Sequence, residues 1–180
     1  MIGTEIDNYA PDFELPGVDE EVHHLARYLE KFQVVCVIFL SNQCPEVDAY
    51  LKRIKQLQKD FQDQGVIIIG MNPNDATISP ADSFEKMKEF AVKNELNFPY
   101  IRDVTQDVAE SFGAEKTPQA FLLDHEGKLR YCGLIDDNVN DPQGVQIAYL
   151  HQAIAQIIQG ETLTKSTTEA VGCSIKWREK

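Results

Sequence analysis

One cysteine stands at a position suited to chemistry. Cys44 lies where an apolar run, Gln33–Leu40 (QVVCVIFL), gives way to a helical pattern opening with Pro45. Proline fits the first position of a helix, which puts Cys44 at or beside the N-cap. A helix N-terminus offers free N–H groups and partial positive charge, and these stabilise a thiolate, the nucleophilic form of the side chain. Glu46, in the first turn, opposes that effect by like charge. The reading this favours is redox chemistry or nucleophilic attack at Cys44; the alternative is an inert, packed thiol.

The other cysteines differ in kind. Cys36 lies inside the apolar run and reads as core. Cys132 alternates within a strand and reads as structural. Cys173 follows Gly172 near the chain end. It is placed either to swing onto Cys44 and resolve an oxidised form or to remain a spare surface thiol. Thr117-Pro118 precedes the strand-like QAFLLD. If that strand lies antiparallel to Gln33–Leu40, its start adjoins the other's end, and Pro118 approaches Cys44. A cis bond is common at such a turn. A second hairpin strand ending at Ile135 would return Asp136, Asp137 and Asn138 to the same edge. An acid there would move the thiol proton; otherwise the segment is a solvated turn.

Other constellations are poor. His23, His24, His125 and His151 show no ligand-like spacing, so no metal is expected. There is no glycine-rich phosphate loop, and no cofactor is expected. The acidic run Asp136–Asp141 lacks the glycine and terminal glutamate of a calcium loop.

The elements that must position Cys44 follow from hydrophobic periodicity. Asp12–Leu15 reads as a short strand and Val22–Phe32 as a short helix. Gln33–Leu40 reads as a fully buried central strand. Pro45–Gln62 has Val47, Tyr50, Leu51, Ile54 and Leu57 at helical spacing. Gly65–Gly70 (GVIIIG) is a second buried strand. Asn72–Asp82 is a long polar loop, and loops of that length are often functional. Ser83–Asn94 is a helix capped by Asp82 or Ser83. Phe98–Ile101 is extended, and Gln106–Phe112 is a helix ending at Gly113. QAFLLD and KLRYCGLI flank a hairpin turn. Gly144–Gln159 is a closing helix with Ile147, Leu150, Ile154 and Ile157 inward. The expected division is a domain over residues 1–160 and a tail over 161–180. The tail's Ile175 and Trp177 argue that it docks, and its basic residues suit an acidic body. The fold class is α/β, a mixed sheet flanked by helices.

Whole-chain properties exclude several classes. The chain has 180 residues, 43% hydrophobic and 26% charged, the proportions of an ordinary globular domain. Its net charge of −12 argues against a nucleic-acid partner. No apolar run approaches the roughly 20 residues of a membrane span. The N-terminus has no signal-like pattern. Four cysteines are too few for a disulfide scaffold, so a cytoplasmic location is expected.

The strand, Cys-Pro, helix and late Thr-Pro strand resemble the thioredoxin fold. APDFEL and the FLLDHEGKLRY hairpin resemble its redoxin branch, of the alkyl hydroperoxide reductase and thiol-specific antioxidant type, with an N-terminal extension. More narrowly, CPEVDAYLKRI, SFEKMKEFA, FPYIRDVTQDVAESFGAEKTPQAFLLD, GLIDDN and VGCSIKW resemble peroxiredoxin-like group 1 of the thioredoxin family. The resemblance spans residues 7–178. Two departures bear on function. The usual Cys-x-x-Cys is Ser41-Asn42-Gln43-Cys44 here, so a dithiol cycle within that motif is excluded. Peroxiredoxins carry Pro-x-x-x-Thr/Ser-x-x-Cys and an Arg at the start of the late strand. Ser41 and Cys44 match, but Val37 stands in place of the Pro and Pro118 in place of the Arg. Losing that Arg should cost peroxidase rate, unless Arg102, Arg130 or Lys52 substitutes.

The resulting expectation is a thiol oxidoreductase. Cys44 attacks a disulfide or is oxidised to sulfenic acid, and Cys173 or an external thiol resolves it. Ser41 bonds the thiolate, Thr117 and Pro118 shape the groove, and Asp136 or Asp137 handles the proton. Partners are thiol, disulfide or peroxide substrates, with no nucleic acid and no membrane. The rival readings are a catalytically degenerate binding or chaperone-like module and a weak one-cysteine peroxidase.

Overall fold

The computed structural model describes residues 3–180. The chain opens with β1 (Glu14–Pro16), which pairs antiparallel with β2 (Val22–His24). The sequence pattern predicts helix from Val22. Instead, Val22–His24 spend their backbone groups on β1, and helix α1 (Leu25–Lys31) starts only where Leu25 reaches the core.

Strand β3 (Val34–Phe39) is buried at every residue, as an apolar run covered on both faces must be. Helix α2 (Pro45–Phe61) follows and buries Val47, Tyr50, Leu51, Ile54, Leu57 and Phe61 along one stripe. Gly65, with φ +73°, makes the left-handed turn into β4 (Val66–Asn72), which runs parallel to β3. The strand continues two residues past Gly70. Helix α3 (Phe84–Lys93) is capped by Ser83, whose hydroxyl accepts from the Lys86 N–H at 3.2 Å. Strand β5 (Tyr100–Arg102) lies parallel to β4, and helix α4 (Asp107–Phe112) ends at Gly113.

The two-residue strand β6 (Lys116–Thr117) leads through a cis Thr117–Pro118 bond into β7 (Gln119–Leu123). β7 pairs antiparallel with both β3 and β8 (Leu129–Gly133). Helix α5 (Tyr149–Ile158) starts later than periodicity suggests. Asp137 accounts for the delay. Its N–H donates to the Ile147 carbonyl and its carboxylate accepts from the Ile147 N–H, each at 3.1 Å. Ile147 is thereby held outside the helix and is 43% exposed, against the expectation that it faces inward.

The five-stranded sheet has the order β5-β4-β3-β7-β8, with β3 at its centre. Alternate residues of β3 feed two cores. Val34, Cys36 and Ile38 pack with α2, α3 and α5, while Val35, Val37 and Phe39 pack with α1 and α4. A mixed sheet with this order, a helix leaving the central strand and a cis proline entering its antiparallel neighbour make the thioredoxin fold. No helix among the described residues is long and apolar enough to cross a membrane.

The last segment is tied down. Thr168 N–H donates to the Cys132 carbonyl and Cys132 N–H to the Ser166 carbonyl, each at 3.0 Å. Further on, β9 (Cys173–Ser174) pairs antiparallel with β6, opposing Cys173 to Thr117. Ile175 is only 4% exposed, whereas Trp177 remains 40% exposed.

Candidate functional site

Cys44 is the N-cap residue of α2, with extended backbone (φ −127°, ψ 122°) and Pro45 at the first helical position. Its side chain makes no capping bond, so the sulfur is free for other partners. β3 delivers the chain to this point and α2 carries it away, so the sulfur sits over the end of the central strand. Cys44 is buried, 1% exposed.

The approach to Cys44 is braced by a buried polar network. The Asn42 N–H donates to Asp82 Oδ1 at 2.7 Å, and the Tyr100 hydroxyl donates to Asn42 Oδ1 at 2.7 Å. The Asp82 carboxylate also accepts from Asn72 Nδ2 (2.9 Å), Asn74 Nδ2 (3.0 Å) and Ser79 Oγ (2.6 Å). Burial, the largest single influence, works against Asp82 ionising. The hydrogen bonds from Ser79, Asn42, Asn74 and Asn72 together outweigh it, and the carboxyl is held below its ordinary value. The long polar loop is therefore a scaffold for residues 41–44.

The partner of Cys44 is Cys173. The two form a disulfide across 129 residues of sequence, with their Cα atoms 6.1 Å apart, in the usual range for such a bond. Two features bring Cys173 there. β9 hydrogen-bonds along β6, and Gly172 passes directly over Thr117-Pro118. A Cβ on Gly172 would collide with the Thr117 carbonyl oxygen, so only glycine permits the approach.

Glu46 completes the group. Its Oε2 lies 3.2 Å from Cys44 Sγ and 3.4 Å from Cys173 Sγ. The Thr117 carbonyl oxygen is 3.3 Å from Cys44 Sγ. Among the described residues, the donor atoms of Cys44, Glu46 and Cys173 form a set, all within 4.8 Å of one another, that suits a metal ion. Sequence spacing does not show this set, because Cys173 is remote in the chain. From its place in the first turn Glu46 is expected only to oppose the thiolate by charge, whereas its carboxylate lies directly against both sulfurs.

The remaining predicted site residues are placed as follows. Ser41 Oγ is 2.7 Å from Thr117 Oγ1, so its hydroxyl ties the strand end to the cis-proline turn and bonds there, not to sulfur. The Thr117 carbonyl lies at the Cys44 sulfur, and Pro118 lies under Gly172, next to Cys173 in the chain. Asp136 and Asp137 are engaged elsewhere. Asp136 accepts from Arg53 Nη1 at 2.7 Å and from the Asn138 N–H at 2.9 Å. Asp137 accepts from the N–H groups of Gln146 and Ile147. Their carboxylates brace the loop before α5, which is why the strand-end argument misplaces them. Of the three cations considered as replacements for the missing Arg, Arg102 donates to the carbonyls of Asp82 (2.9 Å) and Asn74 (2.6 Å), and Arg130 pairs with Asp7 and Asp124. Lys52 is exposed on α2.

The free thiols Cys36 and Cys132 contrast with the pair. Burial pushes both thiols up and so favours their protonated forms. A cleft of about 530 Å³ between α4 and residues 177–180 is lined by neither sulfur of the pair.

A crystal structure of a hypothetical protein from Sinorhizobium meliloti superposes with a TM-score of 0.91 at 29% identity, covering 99% of this chain and 98% of that one. Among curated proteins, the thiol-disulfide oxidoreductase ResA of Geobacillus thermodenitrificans is 26% identical over 125 residues, 69% of this chain and 67% of the relative. The peroxiredoxin Bcp of Bacillus subtilis is 29% identical over 132 residues, 73% of this chain and 78% of the relative. The protein is a thiol-redox protein, with Cys44 at a helix N-terminus forming a disulfide with Cys173. The AhpC/TSA family matches residues 6–132, from the N-terminal extension through the hairpin, and the chain belongs to that family.

Proposed function

We propose that the protein is a thiol-disulfide oxidoreductase of the peroxiredoxin-like group whose redox pair is Cys44 and Cys173, with Ser41 where that group usually has its other cysteine. The observation that carries this reading is the disulfide itself, between a helix N-cap and a strand held beside it. In the reduced state the S–H of either cysteine has an acceptor in Glu46, which lies within 3.4 Å of both sulfurs. Loss of the proton leaves a thiolate facing the α2 N-terminus.

The cycle balances without a cofactor. The Cys44 thiolate attacks one sulfur of an external disulfide, forming a mixed disulfide and releasing one thiolate. The Cys173 thiolate then attacks Cys44 Sγ and releases the second. Two electrons pass to the external disulfide, and two protein thiols become one disulfide. Run backwards, two external thiols reduce the pair. Ser41 braces the Thr117-Pro118 turn over which Gly172 brings Cys173 to Cys44, and Glu46 takes the proton-handling role expected of Asp136 and Asp137, whose carboxylates are engaged elsewhere. A reducing cytoplasm would supply the external thiols that reopen the pair.

A peroxidase is the second reading, favoured by the likeness to a peroxiredoxin. Hydrogen peroxide would oxidise the Cys44 thiolate to sulfenic acid, and Cys173 would condense with it, releasing water. This route is the weaker, because Arg102 and Arg130 are committed away from the sulfurs.

Reduced protein should be given equimolar oxidised glutathione or hydrogen peroxide, quenched by alkylation and mapped by mass spectrometry. The expected result is a Cys44–Cys173 link that forms faster with the disulfide, and a Cys44–glutathione adduct trapped by Cys173→Ser. Faster oxidation by peroxide would install the peroxidase reading. A Cys44 that stays alkylatable with both oxidants would overturn both.

A further inference from the structure

We infer that the reduced form of the protein is a binding site for one zinc ion, with Cys44, Cys173 and Glu46 as its three protein ligands. The inference uses the sulfurs of the proposed redox pair but does not depend on which oxidant or reductant they serve.

Donor geometry comes first. Zinc takes thiolate at about 2.3 Å and carboxylate at about 2.1 Å, so a tetrahedral ion sets a sulfur and an oxygen ligand about 3.6 Å apart. Glu46 Oε2 already stands 3.2 Å and 3.4 Å from the two sulfurs. Two sulfurs on one zinc lie about 3.8 Å apart, so the two Sγ atoms separate to that spacing once the bond between them is reduced. The Cα separation of 6.1 Å accommodates that through side-chain rotation alone.

Glu46 has no competing cation. None of the ion pairs among the described residues involves it. Lys116 on β6 and Lys176, two residues past β9, both donate to Ser174. A half-buried carboxylate aimed at two sulfurs without a positive partner is a donor set for a divalent cation. Two thiolates select a borderline-soft ion, and zinc is the one whose usual ligands also include carboxylate.

The donors stay together after reduction because the tail is held by much besides the disulfide. The Lys176 N–H donates to Asn74 Oδ1 at 2.8 Å, and the Asp75 N–H to the Lys176 carbonyl at 3.0 Å. Gln106 Nε2 donates to the same carbonyl at 2.9 Å, and Ile175 is buried. Cys173 therefore faces Cys44 in either redox state.

Two external thiols convert the disulfide to two protein thiols and leave as a disulfide. Zinc then displaces two protons from the pair, and water fills its fourth position. An external disulfide reverses the change. It takes two electrons from the two thiolates, the protein disulfide reforms, two external thiolates leave, and zinc departs still divalent. Zinc binding and disulfide formation at Cys44 are thus mutually exclusive.

The test is a titration of the full chain with zinc against a chromophoric chelator, without oxygen, after reduction by a phosphine that is not itself a thiol ligand. Reduced protein should take one zinc per chain and oxidised protein none. Loss of a direct ligand should cost at least the roughly 10–100-fold in affinity that outer-shell partners cost, so Glu46→Gln should weaken binding by that much. Cobalt substituted for zinc should give sulfur-to-metal charge-transfer absorption that halves in Cys173→Ser. Far-ultraviolet circular dichroism of each variant excludes unfolding as the cause. Equal affinity in Glu46→Gln, or equal uptake by oxidised protein, would overturn the site. Failure of oxidised glutathione to close the disulfide in zinc-free protein would instead count against the redox reading.

Discussion

Ser41 shows how one side chain can change its task. At this position a cysteine would serve the helix thiol directly; the serine instead hydrogen-bonds Thr117 Oγ1 at 2.7 Å. Both residues are buried, and Thr117 is fully so. Ser41→Ala leaves the Thr117 hydroxyl without a protein partner in a place water does not readily reach. A buried group stranded in this way costs about 1–3 kcal/mol. Thermal unfolding of Ser41→Ala should shift down by roughly 2–4 °C per kcal/mol, and no shift would show that the bond contributes nothing. The thiols divide by environment in a way alkylation can read. Cys36 and Cys132 are pushed up by burial and remain protonated near neutral pH. In reduced, folded protein, Cys173, the more exposed member of the pair, should consume iodoacetamide well before Cys36. Cys36 should react only after denaturant is added; early labelling of Cys36 would contradict its place in the core.

At the scale of elements, the tail is the decisive piece. β9 is two residues long and lies on β6 only because Gly172 can pass the Thr117 carbonyl. Gly172→Ala puts a methyl group against backbone that cannot yield cheaply. The disulfide should then form at least several-fold more slowly in a timed alkylation assay, while the sheet and helices stay intact. The far end of the tail is anchored by Arg178 Nε on Asp75 Oδ2 at 2.7 Å. The Asp75 carboxyl is held well below the usual carboxylate range, first by the Thr77 side chain and then by Arg178. A depressed acid stabilises the folded arrangement above its ordinary pKa, and the stabilisation is lost as pH falls through the depressed value. In reduced protein, Trp177 fluorescence should therefore be flat from neutral pH down to about pH 4 and change only below it. In Asp75→Asn the tail should be looser at neutral pH and this acid step absent. The order of the main sheet and helices was legible from period and composition, because β3, α2 and α4 each bury one regular set of apolar residues. Val22–His24 and the start of α5 were not, since partners remote in sequence decide them: β1 for the first, Asp137 for the second. The site divides the same way. Cys44 and its candidate partner Cys173 could be named from local signals. The carboxylate at the sulfurs could not, because Asp136 and Asp137 have better donors in Arg53 and the loop backbone.

For the whole molecule, the disulfide joins the end of the central strand to the last β-pairing of the chain, 129 residues away. Whatever the bond contributes to folding stability, the folded arrangement contributes equally to the bond, because the four states of folded and unfolded, oxidised and reduced protein form a closed cycle. Cross-links of this kind typically contribute about 2–4 kcal/mol, more for longer loops, by restricting the unfolded chain. For a chain of this size each kcal/mol is worth roughly 2–4 °C in melting temperature. Oxidised protein should therefore melt roughly 5–15 °C above reduced protein. The same cycle requires the folded pair to be harder to reduce than the pair in urea-unfolded chain by an equal free energy. The two quantities can be measured independently, by calorimetry on each redox form and by equilibration with glutathione buffers in native and unfolding conditions. Their agreement checks that the cycle closes, and a difference of the full expected size would show that the tail stays docked when the bond opens. A melting difference near zero, with a pair no more stable folded than unfolded, would mean that the tail swings free on reduction and that each turnover must order it again.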